Sequence, residues 1–128
     1  MAKKYYYYWN ENPIKKETSD CVIRALVTAT GESWDSIYNE LCEIGFELKT
    51  IPNTKESWEA LLIRKGFVRH SISNKKGSKR PTVLSFTKAH KEGTYILQVA
   101  NHLTVCKEGA FYDLWDCGDK CLYSYWSK

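Results

Sequence analysis

Five cysteines and three histidines are the residues of this 128-residue chain best suited to nucleophilic chemistry. One of them, Cys21, stands where the polar stretch Thr18 to Asp20 gives way to an apolar run. Ser19 and Asp20 favour the N-cap of a helix, so the pattern predicts a buried helix that begins at Cys21. A thiol in a first helical turn lies near the positive end of the helix dipole, which favours the nucleophilic thiolate. Cys21 is therefore the first candidate nucleophile, and a small core residue is the alternative.

A cysteine nucleophile needs a base, and the base needs an orienting group. His102 opens a predicted strand, and two aspartates, Asp113 and Asp116, follow on or after the next one. A hairpin turn at 108–109 puts His102 and Asp113 on one face of the sheet, about 7–8 Å apart between backbones. A shift of one residue in that hairpin places Asp116 opposite His102 instead. The spacing therefore predicts a triad of Cys21, His102 and Asp113, with Asp116 as the alternative third member.

A zinc site is another interpretation of the same region, because His102, Cys106, Cys117 and Cys121 form two pairs with three intervening residues. On a strand, however, four residues separate His102 from Cys106 by about 13 Å, far more than two ligands of one zinc ion allow. We therefore expect no metal and no cofactor.

The elements that must position these residues divide the chain into a helical part and a β-rich part. Three predicted helices begin at Cys21, after Ser33 and after a capping box of Asn53 and Glu56, and they end at Gly31, Gly45 and Gly66. A short helix is predicted within 81–90. Predicted strands, rich in β-branched and aromatic residues, cover 94–100, 102–107, 110–115 and 122–126. The expected fold class is α+β, with N-terminal helices packed on a C-terminal antiparallel sheet.

Length and composition bound the function. The chain is long enough for one domain over 1–128, and 43% hydrophobic with 27% charged residues is the balance of a globular protein. No apolar run reaches the roughly 20 residues of a membrane helix and no signal peptide is recognisable, so we expect a cytoplasmic protein with no membrane partner. An odd number of cysteines favours reduced thiols. Much of the net charge of +4 lies in the predicted loop from Lys75 to Arg80, so we do not expect nucleic acid as a partner.

The order of the candidate residues resembles that of papain-like cysteine peptidases, in which a helix-opening cysteine precedes a strand-opening histidine and then an Asn or Asp. Asp113-Leu114-Trp115 is similar to the Asn-Ser-Trp motif of that family, whose tryptophan shields the hydrogen bond to the histidine, and this favours Asp113 over Asp116. More widely, the chain is similar to small C39-peptidase-like proteins of phages and their bacterial hosts. The stretches that carry this similarity are Asn12-Pro13, Asp20 to Ala25, Gly93 to Leu97, His102 and Tyr112 to Asp116.

The resemblance implies a papain-like fold and a thiol hydrolase that acts on a peptide or isopeptide bond of a protein or peptide substrate, in the cytoplasm of a bacterial host. It also implies an oxyanion-binding Gln about six residues before the cysteine, but Lys15 stands there. Asn12 is predicted as the substitute, with a turn-forming role as the alternative. The missing Gln leaves a second hypothesis, a catalytically inactive papain-like module that binds a host protein or defence factor.

Overall fold

The computed structural model describes residues 4–73 and 79–128, so most of the stretch from Lys75 to Arg80 lies outside the described residues. In the described ranges the chain forms β1 (Tyr6–Tyr8), α1 (Cys21–Thr30), α2 (Trp34–Leu48), α3 (Lys55–Arg64), β2 (Val68–Ser71), α4 (Val83–Ala89), β3 (Thr94–Val99), β4 (His102–Lys107), β5 (Ala110–Asp113) and β6 (Ser124–Ser127). The architecture is therefore α+β. Within those ranges, no helix has the length and apolar character that crossing a membrane requires.

The six strands form one mixed sheet in the order β1-β5-β4-β3-β6-β2. Strands β3, β4 and β5 are joined by hairpins, and β6 pairs antiparallel with β3. At the edge, β1 pairs parallel with β5. The prediction of an antiparallel, purely C-terminal sheet is therefore wrong at both edges. Both β1 and β2 precede residue 94, where the predicted strands begin, and β1 is parallel to its neighbour. A run of tyrosines has no polar–apolar alternation from which pairing could be predicted.

Apolar side chains cover both faces of the sheet. On one face, strand residues pack against α1, α2 and α3; among the buried members are Leu26, Ile37, Leu61, Val105 and Trp126. The other face packs with α4 and the segment before β6; its buried members include Val83, Phe86, Leu97, Phe111 and Leu122. Burial of one side chain of this size stabilises the folded state by roughly 1.5–3 kcal/mol. Helix α1 packs against the sheet and against α2, which explains why Val22–Val27 are all buried.

Helix boundaries agree with the sequence where the signal is local and differ where tertiary contacts decide. Helix α1 begins at Cys21 and ends before Gly31, whose φ of 77° suits glycine, as predicted. Helix α2 does not stop at Gly45 but continues to Leu48. A Cβ at Gly45 would lie 3.0 Å from the carbonyl oxygen of Thr50, so this glycine lets the following loop approach the helix rather than ending it.

The third helix begins one residue later than predicted. Thr54 is its N-cap and its side chain accepts a hydrogen bond from the Ser57 backbone N–H. The capping box predicted for Asn53 and Glu56 is therefore wrong. Instead, Asn53 Nδ2 donates to the carbonyl oxygen of Ser19 at 3.3 Å, which ties the start of α3 to the segment that precedes α1.

Candidate active site

Cys21 lies at the first position of α1 and lines a cavity of ≈ 450 Å³. The thiol is partly buried and lies beside the imidazole of His102, which lines the same cavity and lowers the pKa of the thiol. The beginning of a helix and the beginning of a strand therefore meet at one opening. A nucleophile and a base are close together and accessible from that cavity.

Two tight turns position His102 and its partner. A two-residue turn, in which Asn101 has a φ of 54°, joins β3 to β4 directly before His102. The turn at 108–109 has positive φ at both residues and sets the predicted register, in which Cys106 pairs with Phe111. The pairing of β4 with β5 ends at Val105 and Tyr112. The next residue of β5, Asp113, places its carboxylate against the imidazole of His102. The distance from His102 Nε2 to Asp113 Oδ2 is 2.5 Å.

The Asp113 carboxylate is 1% exposed and both of its oxygens are occupied. Its Oδ2 accepts from His102 and, at 3.7 Å, from the thiol of Cys117. Its Oδ1 accepts from the Leu114 backbone N–H at 2.7 Å and from the Arg24 guanidinium at 3.1 Å. A buried carboxylate with this many donors is fixed in place, and it fixes the ring of His102 in turn.

The other predicted neighbours of His102 take different positions. The Asp116 carboxylate is exposed and accepts from the Gly118 backbone N–H at 3.0 Å, so Asp113 and not Asp116 contacts the imidazole. The ring of Trp115 lies with its centroid 5.3 Å from that of His102. Trp115 therefore covers one side of the histidine, while 43% of its own surface stays exposed.

Arg24 connects the start of α1 to Asp113 at the end of β5. Its guanidinium donates through Nε to Asp20 at 2.7 Å and through Nη1 to Asp113 at 3.1 Å. Asp20 is itself buried, and its second oxygen accepts from the indole N–H of Trp34 at 3.0 Å. Asp20 therefore occupies the N-cap position without a side-chain capping bond, because its carboxylate is turned towards Arg24.

The oxyanion role predicted for Asn12 does not fit its position. Its side-chain N–H donates to Asp20 at 3.2 Å, its oxygen accepts from the backbone N–H groups of Ile14 and Lys16, and it does not line the cavity. Asn12 thus has the turn-forming role that was the alternative. Lys15 points away as well, since its ammonium donates to a backbone carbonyl at residue 10.

Sequence reasoning missed several polar residues that line the cavity beside Cys21. These are Ser19, Asn53, Lys55, Gln98 and Asn101. Gln98 stands out in the sequence only as a polar residue in an apolar strand, and its side-chain oxygen accepts from the Ser124 hydroxyl at 2.5 Å. The others come from loops and a helix start, for which no periodic pattern gives a signal. The cavity is therefore rich in hydrogen-bond donors.

Burial and charge move the pKa values of the triad in a consistent way. Burial raises the pKa of Cys21, but the hydrogen bonds from His102 and the Leu103 backbone outweigh it, so the pKa lies below 9.0. Burial lowers the pKa of His102, but the hydrogen bond to Asp113 prevails and raises it to about 11. Burial raises the pKa of Asp113, but the hydrogen bond from His102 outweighs this effect, so the pKa is lowered. These directions favour a thiolate, an imidazolium and a carboxylate in a row.

A metal ion has one possible site among the described residues. Side-chain ligand atoms of His102, Asp113 and Cys117 lie within 4.8 Å of one another, whereas Cys106 is not among them and Cys121 is exposed. With bonds of 2.0–2.1 Å, a tetrahedral zinc would hold its nitrogen and oxygen ligands roughly 3.3 Å apart. The 2.5 Å between His102 and Asp113 is the distance of a charge-assisted hydrogen bond instead.

Comparison of the chain with models of known protein families, with curated proteins and with solved structures gives no match. The function therefore has to be argued from the geometry of the site.

The first prediction concerns Arg24. Arg24→Met leaves Asp20 and Asp113 buried without their cation, so the free energy of unfolding should fall by about 3–5 kcal/mol. Urea denaturation followed by tryptophan fluorescence measures the change. Arg64→Met is the matched control, because Arg64 pairs with Glu47 on the surface and should lose no more than about 1 kcal/mol. Equal losses in the two variants would contradict the role assigned to Arg24.

The second prediction concerns the reactivity of Cys21. Iodoacetamide at neutral pH should alkylate Cys21 first, because its pKa is lowered, while burial raises the pKa of Cys106 and Cys117. In His102→Gln, burial acts on the thiol without the imidazole, so the alkylation rate should fall at least about tenfold. Peptide mass mapping over time gives the rates. The control His70→Gln should react like the unmodified chain, and equal labelling of all cysteines sinks the prediction.

Proposed function

We propose that this chain is a papain-like thiol hydrolase that cleaves a peptide or isopeptide bond. The observation that supports the proposal is that Cys21, at a helix start, and His102 line one cavity, while His102 hydrogen-bonds with the buried Asp113. A thiol, an imidazole and an orienting carboxylate are the parts that nucleophilic acyl transfer requires. The cavity beside Cys21 gives a substrate access to the sulfur.

In the first half of the reaction, Cys21 Sγ attacks the acyl carbon and forms a carbon–sulfur bond. Since Asp113 holds Nε2 of His102, Nδ1 is the ring nitrogen that exchanges a proton with the reacting atoms. As the tetrahedral intermediate collapses, His102 gives that proton to the leaving amine, and a thioester on Cys21 remains. The raised pKa of His102 keeps this proton available at neutral pH.

The negative oxygen of the tetrahedral intermediate needs donors. The first N–H groups of a helix have no partner inside the helix, and the Asp20 side chain does not cap those of α1. The backbone N–H of Cys21 is therefore one donor in this proposal. The second comes from the carboxamides that line the cavity, those of Asn53, Gln98 and Asn101.

In the second half of the reaction, His102 accepts a proton from water, which attacks the thioester and releases the acid and the Cys21 thiolate.

A binding module that kept this arrangement without turnover is the second candidate. The observation in its favour is that neither Asn12 nor Lys15 brings a side-chain donor to the cavity from the segment before Cys21. In that case the cavity would hold a segment of a host protein and leave it intact.

The third prediction separates these candidates. The chain is incubated with p-nitrophenyl acetate and, separately, with a pooled peptide library, and mass spectrometry follows both reactions. A hydrolase acetylates itself on Cys21, turns over, and generates new peptide termini. Cys21→Ala should abolish both reactions, and Asp113→Asn should slow turnover about a hundredfold or more, because the imidazole loses its partner.

The matched control is Cys121→Ser, which removes an exposed thiol outside the cavity of Cys21 and should leave turnover unchanged. Acetylation of Cys21 without new peptide termini would favour the binding module. New termini that persist in Cys21→Ala would contradict both the nucleophile and the proposal.

A further inference from the structure

We propose that the substrate carries an acidic side chain next to the bond that is cleaved and that Lys55 binds this side chain. The assignment rests on the proposed function in taking Cys21 as the attacking atom, and it adds the chemical class of the substrate. Lys55 is the first residue of α3 and lines the cavity of ≈ 450 Å³ that Cys21 and His102 also line. A substrate whose acyl carbon lies at the Cys21 sulfur therefore has its neighbouring side chains in the same cavity as Lys55.

The described residues that line this cavity include cations and no carboxylate. Its ionisable members are Cys21, Lys55 and His102, and the others are apolar or carry hydroxyl or carboxamide groups. The charge of protonated His102 is balanced by Asp113, which lies behind the ring at 2.5 Å. The charge that remains for a substrate to balance is therefore that of the Lys55 ammonium.

Lys55 differs from the other cation of its helix in having no acidic partner. Arg64, at the end of α3, pairs with Glu47 at 2.6 Å. Glu59 follows Lys55 by four residues, a spacing that favours an ion pair on a helix, yet its carboxylate lies 4.0 Å from Arg69 instead. Within the described parts of the chain, no carboxylate forms an ion pair with Lys55, so its ammonium is available to a ligand.

The start of α3 holds this charge at the wall of the cavity. Lys55 and Trp58 are three residues apart, so they lie on the same face of the helix, and both line the cavity. Trp58 is only 9% exposed and packs edge-on against Trp126, with ring centroids 6.4 Å apart, which fixes this face against the core. The first turn of a helix adds partial positive charge to that of Lys55. The site therefore favours a carboxylate and repels a basic side chain.

The fourth prediction uses electrophiles that need no turnover. Acetyl-Xaa-Gly and acetyl-Gly-Xaa chloromethyl ketones, with Xaa as Glu, Gln or Lys, alkylate Cys21 when its sulfur displaces chloride and forms a thioether. At one of the two positions, Glu should react about threefold or more faster than the isosteric Gln at low ionic strength, and Lys should react more slowly than Gln. Each rate is divided by that of the acetyl-Gly-Gly chloromethyl ketone, which corrects for changes in the reactivity of the thiol itself.

Two variants test whether Lys55 is the source of this preference. Lys55→Met should bring the Glu and Gln rates together, and Lys55→Glu should reverse the order so that the Lys probe reacts fastest, because the charge at the wall is reversed. Lys91→Glu is the matched control, since Lys91 is exposed and does not line the cavity, and it should keep the preference for Glu. The preference should also weaken in about 0.5 M sodium chloride, as expected for a charge interaction.

Equal rates for Glu and Gln at both positions, or a preference for Glu that persists in Lys55→Met, overturns the proposal. Cleavage of peptides without a preference for Glu would leave hydrolysis standing and remove the role of Lys55. A preference for Glu that requires Lys55, in a chain that generates no new peptide termini, would overturn hydrolysis and support an acidic ligand.

Discussion

A guanidinium buried between two carboxylates is the contact on which this site depends. Arg24 pairs with Asp20 on its own helix and with Asp113 at the end of β5, and all three side chains are less than a tenth exposed. An unpaired charge in such surroundings is strongly unfavourable, so burying these groups favours the orientation of α1 that forms both pairs. Cys21 lies one helical turn from Arg24, and His102 contacts Asp113. The arrangement that neutralises the buried charges therefore also brings the thiol to the imidazole.

The same contact explains the chemical character of the helix start. Asp20 stands where a carboxylate would ordinarily cap the first N–H groups, yet it contacts Arg24 instead. Those N–H groups are therefore left without a side-chain cap from Asp20. Signs of charge alternate from Asp20 through Arg24 and Asp113 to protonated His102, so each of these groups has an opposite neighbour. The start of α1 therefore favours negative charge on the Cys21 sulfur.

The sequence carried enough information for the parts of the site that depend on local rules. A polar-to-apolar transition located the helix start at Cys21, and the turn at 108–109 with strand alternation located Asp113 near His102. The sequence does not reveal that Arg24 pairs with Asp113, because the two residues are 89 positions apart and a guanidinium can pair with many carboxylates. The parallel pairing of β1 with β5 also joins residues far apart in the sequence, and the sequence did not predict it. The oxyanion role expected of Asn12 came from family resemblance and not from a spacing rule, and the fold uses that amide elsewhere.

The coupling of His102 to Asp113 is tested most directly by the protonation state of the His102 ring, followed by nitrogen-15 NMR across pH 5 to 11 in the intact chain. With Asp113 as its partner, the ring should stay protonated well above 6.5 and lose its proton towards about 11. In Asp113→Asn, burial acts without the carboxylate and the pKa should fall below 6.5. A ring that titrates near 6.5 in the unmodified chain, or identically in the variant, contradicts the account.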